Sequence, residues 1–426
     1  MTPLRRLSDV EAAFARTHAL MHGTTQVTTQ VTVRGDLDPQ HFRRGAERWA
    51  AELPLLSLRI EERPDGLWFT TGPGPRPGQI RHDPLGAPDS PDDVLRRELN
   101  DVLETGGPLW RLRLVRDPGA GASHLYFTRN HAISDGHSTG AVVRALLDAL
   151  FAPTDGVSVH DVRTLPPNGD ALTYRPPARP DAPVPESVPR PDPLPFEAHR
   201  PWDERAADFV PLAFTREESL ALKSWCGERG VTVNQFFAVA LAESYAEATG
   251  RSEVNLCTAV SLRRRYEESA ELPDVGCFIN VLNVPVRAGR GDPAEEARDY
   301  AAALARADAA WRPPLRDHAL IRRAVEETAA ARSATGICIT NVGVVDPALG
   351  PHTARVTGYR TVVNRVGANY GVVLHLGTLG GAFTTALAFG TPSTDPDTVR
   401  AVAKALRDRA LRPAAARRDL SAGASR

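Results

Sequence analysis

Trp110, Leu112 and Leu114 alternate with Arg111, Arg113 and Val115, the period-two pattern of a strand with one face in a core. Upstream, Val94, Leu95, Leu99, Val102 and Leu103 recur at helical spacing behind Ser90-Pro91, a cap followed by a first-turn proline. The same reading predicts strands at Val27–Val33, near Leu55–Ile60 and at Leu125–Thr128, and a helix from Asp38-Pro39 through about Ala51. A helix over Ser138–Leu150 carries Val142, Val143, Leu146, Leu147 and Leu150, a stripe that packs back on the sheet. This half is mixed α and β.

In the second half, Thr215-Arg216-Glu217-Glu218 and Thr232-Val233-Asn234-Gln235 are capping boxes, and Gly230 and Gly250 sit where their helices should stop. Strands are predicted at Val254–Val260, Ile279–Val286, Ile337–Thr340, Arg355–Thr361, Val372–Leu376 and Phe383–Ala388, and helices at Pro293–Trp311 and Pro396–Leu411. The halves are alike in composition and size, although no sequence repeat links them.

Between them, Pro153 to Pro201 holds Pro166-Pro167, Pro176-Pro177 and Pro189-Arg190-Pro191-Asp192-Pro193, each of which removes backbone donors and breaks helices. A stretch this long is a linker or a functional loop. A chain of 426 residues exceeds the size of one hydrophobic core. The expected division is an N-terminal domain over 1–152, a proline-rich linker over 153–205, a C-terminal domain over 206–413 and a flexible Ala/Arg-rich tail over 414–426.

Hydrophobic residues at 42% and charged residues at 24% are those of a globular chain, and exclude a disordered or fibrous one. A net charge of −1 gives no global field for nucleic acid or anionic lipid, so neither is an expected partner. Cys226, Cys257, Cys277 and Cys338 lie singly, without the paired spacing of a zinc site or disulfide scaffold, and read as buried thiols in a reducing compartment. The N-terminus lacks a signal-peptide pattern and no apolar run approaches the ~20 residues that span a bilayer, so a cytoplasmic protein is expected, without a metal and as a monomer.

One segment carries chemistry. In Asn130-His131-Ala132-Ile133-Ser134-Asp135-Gly136 a histidine, an aspartate four residues later and a glycine stand between an apolar strand and an amphipathic helix, a corner that presents side chains to a cleft. Histidine takes a proton near neutral pH with little tuning. Asp135 could pair with a cation to pin the loop, and Gly136 leaves room for a substrate or an unusual turn. On position alone, His131 reads as a structural histidine more readily than as a catalytic one.

The segment resembles the HHxxxDG signature of the CoA-dependent acyltransferase superfamily, which includes chloramphenicol acetyltransferase, peptide-synthetase condensation domains and plant BAHD acyltransferases. The likeness continues in Leu7-Ser8-Asp9-Val10-Glu11-Ala12-Ala13-Phe14 as a first helix, in Gly35-Asp36-Leu37-Asp38 with Leu53-Pro54-Leu55-Leu56, and in Pro108-Leu109-Trp110-Arg111-Leu112. Ser261-Leu262-Arg263 and Thr340-Asn341-Val342-Gly343 match two further stretches. By length the chain is most similar to stand-alone polyketide-associated members such as phthiocerol dimycocerosyl transferase.

The resemblance implies an α/β (α+β) fold of two chloramphenicol-acetyltransferase-like domains forming a V, with an interface tunnel that admits an acyl thioester from one face and an acceptor from the other. It implies that His131 is the general base on a hydroxyl or amine that attacks the thioester, with no acyl-enzyme. It makes Asp135 a structural partner of Arg263. No cofactor is permanently bound; acyl-CoA or a phosphopantetheinyl acyl carrier protein is the co-substrate, and a small alcohol or amine the acceptor. Asn130 departs from the pattern, standing where the first histidine would be, and either orients the His131 ring or ends the strand. Thr340 and Asn341 could donate to the oxyanion, line the tunnel or make a turn.

The remaining candidates have plainer readings. His137 is taken as a solvent-facing first-turn residue, Ser134 as a packing or capping residue outside any nucleophile elbow, His375 as a core or tunnel-wall histidine, and Gly72–Gly78 and Gly377–Gly381 as turns rather than phosphate loops. Three functions remain open at this point: an acyltransferase of secondary metabolism or lipid synthesis, a free-standing condensation enzyme joining carrier-bound groups, and a catalytically silent relative that binds a carrier or metabolite.

Overall fold

The computed structural model describes residues 3–84, 86, 89–151, 161–178, 191–289, 291–314, 317–366 and 369–423, with side chains described up to residue 412. Residue 152 of the expected N-terminal domain, the parts of the expected linker at 153–160 and 179–190, and residues 424–426 of the expected tail lie outside the described residues.

Two sheets form the frame of two lobes. The first has five strands in the order Val356–Val363, Val27–Arg34, Ala122–Arg129, Trp110–Asp117, Ile80–Pro84, antiparallel except for the last pair. The second has six in the order Ile279–Arg287, Glu253–Ser261, Gly336–Val344, Tyr370–Leu379, Ala382–Thr391, Ala206–Ala213. A small three-stranded sheet, Pro3–Arg6, Gly66–Thr71 and Leu58–Arg63, flanks the first lobe.

The strand Ala122–Arg129 is buried at every residue. On one face, Leu125 and Phe127 join the core made with Trp49 of helix Pro39–Glu52 and Val142 and Leu146 of helix Gly136–Phe151. On the other, Tyr126 packs with Leu95 and Leu99 of helix Pro91–Asn100 and with Phe209 and Ala386 of the second lobe. A strand covered by helices on one side and by the other lobe on the opposite side must release its C-terminal end between the lobes. That end carries His131.

The second sheet is backed by helices Arg216–Glu228, Val233–Thr249 and Pro396–Gly423, with Phe237, Leu241 and Leu406 in its core. Both predicted capping boxes form, through Thr215 with Glu218 and Thr232 with Gln235. Gly250 caps its helix with φ 65°, the left-handed conformation that glycine adopts without steric cost. Gly380 and Gly381, both at positive φ, form the two-residue turn between Tyr370–Leu379 and Ala382–Thr391.

Chain order and space do not divide alike. The strand Val356–Val363 leaves the second half of the chain to pair with Val27–Arg34 in the first sheet. Helix His318–Ala330 packs on helix Asp9–Leu20, where His318 Nδ1 accepts from the Leu67 amide at 2.9 Å and Nε2 lies 3.1 Å from the Leu7 carbonyl oxygen.

Some boundaries also differ from expectation. The helix predicted to include Val102 and Leu103 stops at Asn100, because the Gln26 amide donates to the carbonyls of Glu98 and Asp101 and accepts from the Leu103 amide, drawing the chain off the helix axis. Leu55 lies in a 3-10 turn, Pro54–Ser57, which Pro54 opens, and the strand begins only at Leu58. The helix expected to end at Leu411 runs to Gly423, so residues 414–423, expected as a flexible tail, are helical; their Ala and Arg content favours that state.

Candidate active site

His131 opens a single 3-10 turn, His131–Ile133, directly after the fully buried strand. Asn130 caps that turn by accepting from the Ala132 amide at 3.0 Å, and its own amide donates to the Leu109 carbonyl at 2.8 Å. Asn130 therefore ends the strand and sets the corner, the plainer of its two readings. The His131 ring lies flat against Phe14, with centroids 4.3 Å apart and planes 6° from parallel, so the first helix fixes the imidazole plane. Nδ1 is 3.9 Å from the Cys277 sulfur.

The ring is 9% exposed, and that small surface borders two cavities. An outer cleft of about 680 Å³ runs past Asp135, Ser261, Arg263 and Asn341. An inner cavity of about 40 Å³ is bordered by Arg129, Tyr359, Thr361 and His375. His131, Gly136, Thr340 and Val342 line both, so the two spaces meet at the imidazole between the lobes.

Burial, with Arg129 and Arg365 nearby, lowers the His131 pKa to about 4, so the ring is neutral at pH 7. Burial and Arg365 take His375 to about 3. The Cys277 thiol is pushed well above its ordinary value by burial, and so it is neither a thiolate nor a nucleophile at neutral pH.

Asp135 faces away from the histidine. Its Oδ1 accepts from the Ser138 amide at 2.8 Å and the Ser138 hydroxyl at 2.7 Å, and its Oδ2 accepts from the Phe278 amide at 3.1 Å and lies 3.5 Å from Arg263 Nη2. Arg263 also donates to Ser138 Oγ at 2.9 Å and to the Pro273 carbonyl at 2.7 Å, with its guanidinium over the Phe278 ring. Of the three consecutive arginines, Arg263 meets Asp135, Arg265 pairs with Asp308, and Arg264 is exposed beside the outer cleft. The network pins helix Gly136–Phe151 to residues 273–278 of the second lobe.

Gly136 has no room for a side chain: a Cβ there would lie 2.9 Å from Val342 Cγ1, and one on Gly140 would lie 2.8 Å from Ala348 Cβ. One turn apart, the two glycines let the helix start lie against the strand Gly336–Val344 and its extension. Thr340 is half-buried and borders both cavities. Asn341 is exposed in the outer cleft, and its Oδ1 accepts from the Gly343 amide at 2.7 Å, so it makes a turn while lining the cleft. Ser134 bonds within the loop, to the Asp135 carbonyl and Thr139 Oγ1, whereas His137 is exposed near Asp274.

Sequence reasoning did not single out Phe14 for its stacking, Cys277 for its place beside the imidazole, or Arg129 and Tyr359 as cavity wall. Arg129 directly precedes the motif and was the one with a visible signal: a cation following the run Leu125-Tyr126-Phe127-Thr128. Among the described residues, no group of side chains could hold a metal ion and no helix is long and apolar enough to cross a membrane.

Two α/β lobes of this kind are the fold of solved acyltransferase and condensation-domain structures. The trichothecene 15-O-acetyltransferase TRI3 from Fusarium sporotrichioides shares the fold at 13% identity and a TM-score of 0.67, over 96% of this chain and 95% of that one. The first condensation domain of the calcium-dependent antibiotic synthetase does so at 15% identity and 0.65, over 97% and 98%. The SgcC5 protein from Streptomyces globisporus does so at 15% identity and 0.62, over 96% and 99%. No curated protein matches the chain in sequence. Residues 203–372 match the family described as phthiocerol/phthiodiolone dimycocerosyl transferase C-terminus.

Proposed function

We propose that the protein moves an acyl group from a CoA or carrier-protein thioester to the hydroxyl or amine of a small acceptor, with His131 as general base. The observation that carries this reading is that His131 borders both cavities, so donor and acceptor can reach it from opposite sides. The acceptor O–H or N–H gives its proton to the neutral imidazole while its oxygen or nitrogen attacks the thioester carbonyl. The tetrahedral intermediate then expels the thiolate, which takes the proton back from His131. Nδ1 lies against the Cys277 sulfur, and in the tautomer that carries its proton on Nδ1 the Nε2 lone pair is the acceptor site. Thr340, which borders both cavities, would donate its hydroxyl to the developing oxyanion. A lipid or polyketide pathway is the setting that the matched family suggests.

A free-standing condensation enzyme is the second reading. Exposed Arg264 at the outer cleft would suit a carrier's phosphate, but the corresponding cation of the inner side, Arg360, is already paired with Asp92.

The test is thiol release from acyl-CoA thioesters of graded length over a panel of small alcohols and amines. Release that depends on the acceptor, with the intact protein mass unchanged throughout, is expected. Release without acceptor accompanied by an acyl adduct, or no release from any pair, would overturn the reading.

A further inference from the structure

Arg129 is 1% exposed, and its surroundings set it apart from the other buried arginines. Arg111 pairs with Glu98 and Arg144 with Asp148, while Arg59 and Arg205 donate to backbone carbonyls. Arg129 meets neither. Among the described residues its guanidinium donates to the hydroxyls of Thr29, at 3.0 Å, and Thr139, and its Nε is buried with no hydrogen-bond partner. The Phe127 ring, 5.2 Å from the guanidinium carbon, is the remaining contact of note. Both hydroxyls are also engaged elsewhere, Thr29 with Thr361 and Thr139 with the Asp135 carbonyl.

A cation taken out of water without a paired counter-charge is strongly disfavoured, and a buried donor left unpaired adds to that. Such a group in a native structure calls for a partner that the folded chain does not itself supply. Arg129 lines the inner cavity beside His131, and among the described residues no carboxylate lines that cavity. Its other nitrogenous walls are Arg360, whose charge is paired with Asp92, and His375, a ring that is neutral at pH 7. The space is narrow and in contact with the base, and Arg129 brings it a cation without a paired carboxylate.

We propose that Arg129 forms a subsite for a carboxylate on the acceptor, so that the acceptor is a small hydroxy or amino acid rather than a neutral alcohol. This rests on the reading of the inner cavity as the acceptor side. Arg129 stands two residues before His131 and borders the same cavity, so a bound carboxylate would lie within the length of a short molecule from the atom that loses its proton. A planar guanidinium donates to a carboxylate in a charge-assisted pair, which would neutralise the buried charge.

The experiment is calorimetric titration of the full chain with 3-hydroxybutyrate and lactate, each against its primary amide, which differs from the acid mainly in charge. Wild type is expected to bind the acids at least about tenfold more tightly than the amides. His131→Ala should keep that preference, and Arg129→Gln should lose it while its circular dichroism stays native. Equal binding of acid and amide by wild type, no binding of either, or a preference that survives in Arg129→Gln would overturn the proposal. The acid–amide ratio of wild type stands even if the Arg129 variant fails to fold. Acid preference without thiol release would leave the subsite and remove the transfer reaction; release with neutral acceptors and no acid preference would do the reverse.

Discussion

His131→Ala is expected to lower kcat/KM for thiol release by about 10²–10⁴-fold, the usual contribution of a positioned general base. The loss should fall on kcat, because the imidazole acts on a proton in flight and makes no ground-state contact that the acyl chain needs. Residual turnover is expected, since the lobes still hold donor and acceptor together and Thr340 still borders both cavities. The fold should remain. Removing the ring unstacks Phe14, but Asn130 still caps the turn and Asp135 still holds the helix start. Native circular dichroism with a collapsed rate separates this outcome from misfolding.

Asp135→Ala is expected to do the opposite, costing about 3–5 kcal/mol of stability in denaturant titration, the penalty of stranding one member of a buried ion pair. The aspartate is 1% exposed, and its removal leaves the Ser138 and Phe278 amides without their acceptor as well as Arg263 without its counter-charge. Catalysis should then fail through lost lobe alignment. At a temperature where the variant is still folded, kcat/KM should recover to a larger fraction of wild type than His131→Ala reaches. A variant as stable as wild type would show that the network contributes nothing to holding the lobes.

Most of the sheet framework was legible from periodicity, because strands such as Trp110–Asp117 alternate apolar with charged positions, and the capping boxes at Thr215 and Thr232 are local chemistry. What escaped was decided at a distance. Ala206–Ala213 is an edge strand that completes the second sheet from beyond the proline-rich stretch, and His318–Ala330 is a helix whose partner, Asp9–Leu20, lies some three hundred residues earlier in the chain. The return of Val356–Val363 to the first sheet has no local signal at all. At the site, the motif spacing located His131, Asp135 and Gly136, and the resemblance put Arg263 on the matching position; the coordinates bring these together. Phe14, Cys277 and His375 reach the imidazole's surroundings only through the packing of lobes and helices, which spacing along a chain cannot report.

The central claim is that a neutral, buried imidazole at the meeting of two cavities takes the acceptor's proton, and the pH dependence of kcat/KM tests it most directly. Burial and Arg129 hold His131 at about 4, and burial holds His375 at about 3, both below the ordinary 6.5 of the unfolded chain. The unfolded chain therefore binds protons first, and the stability held above that ordinary value is lost as pH falls through it toward these lower values. With folding checked at each point, kcat/KM of wild type is predicted to stay level from about pH 8 down to about pH 5, where His131 remains unprotonated. A fall centred near the ordinary histidine value of about 6.5 that also persists in His131→Ala, or equal rates for the two proteins at every pH, would contradict the account.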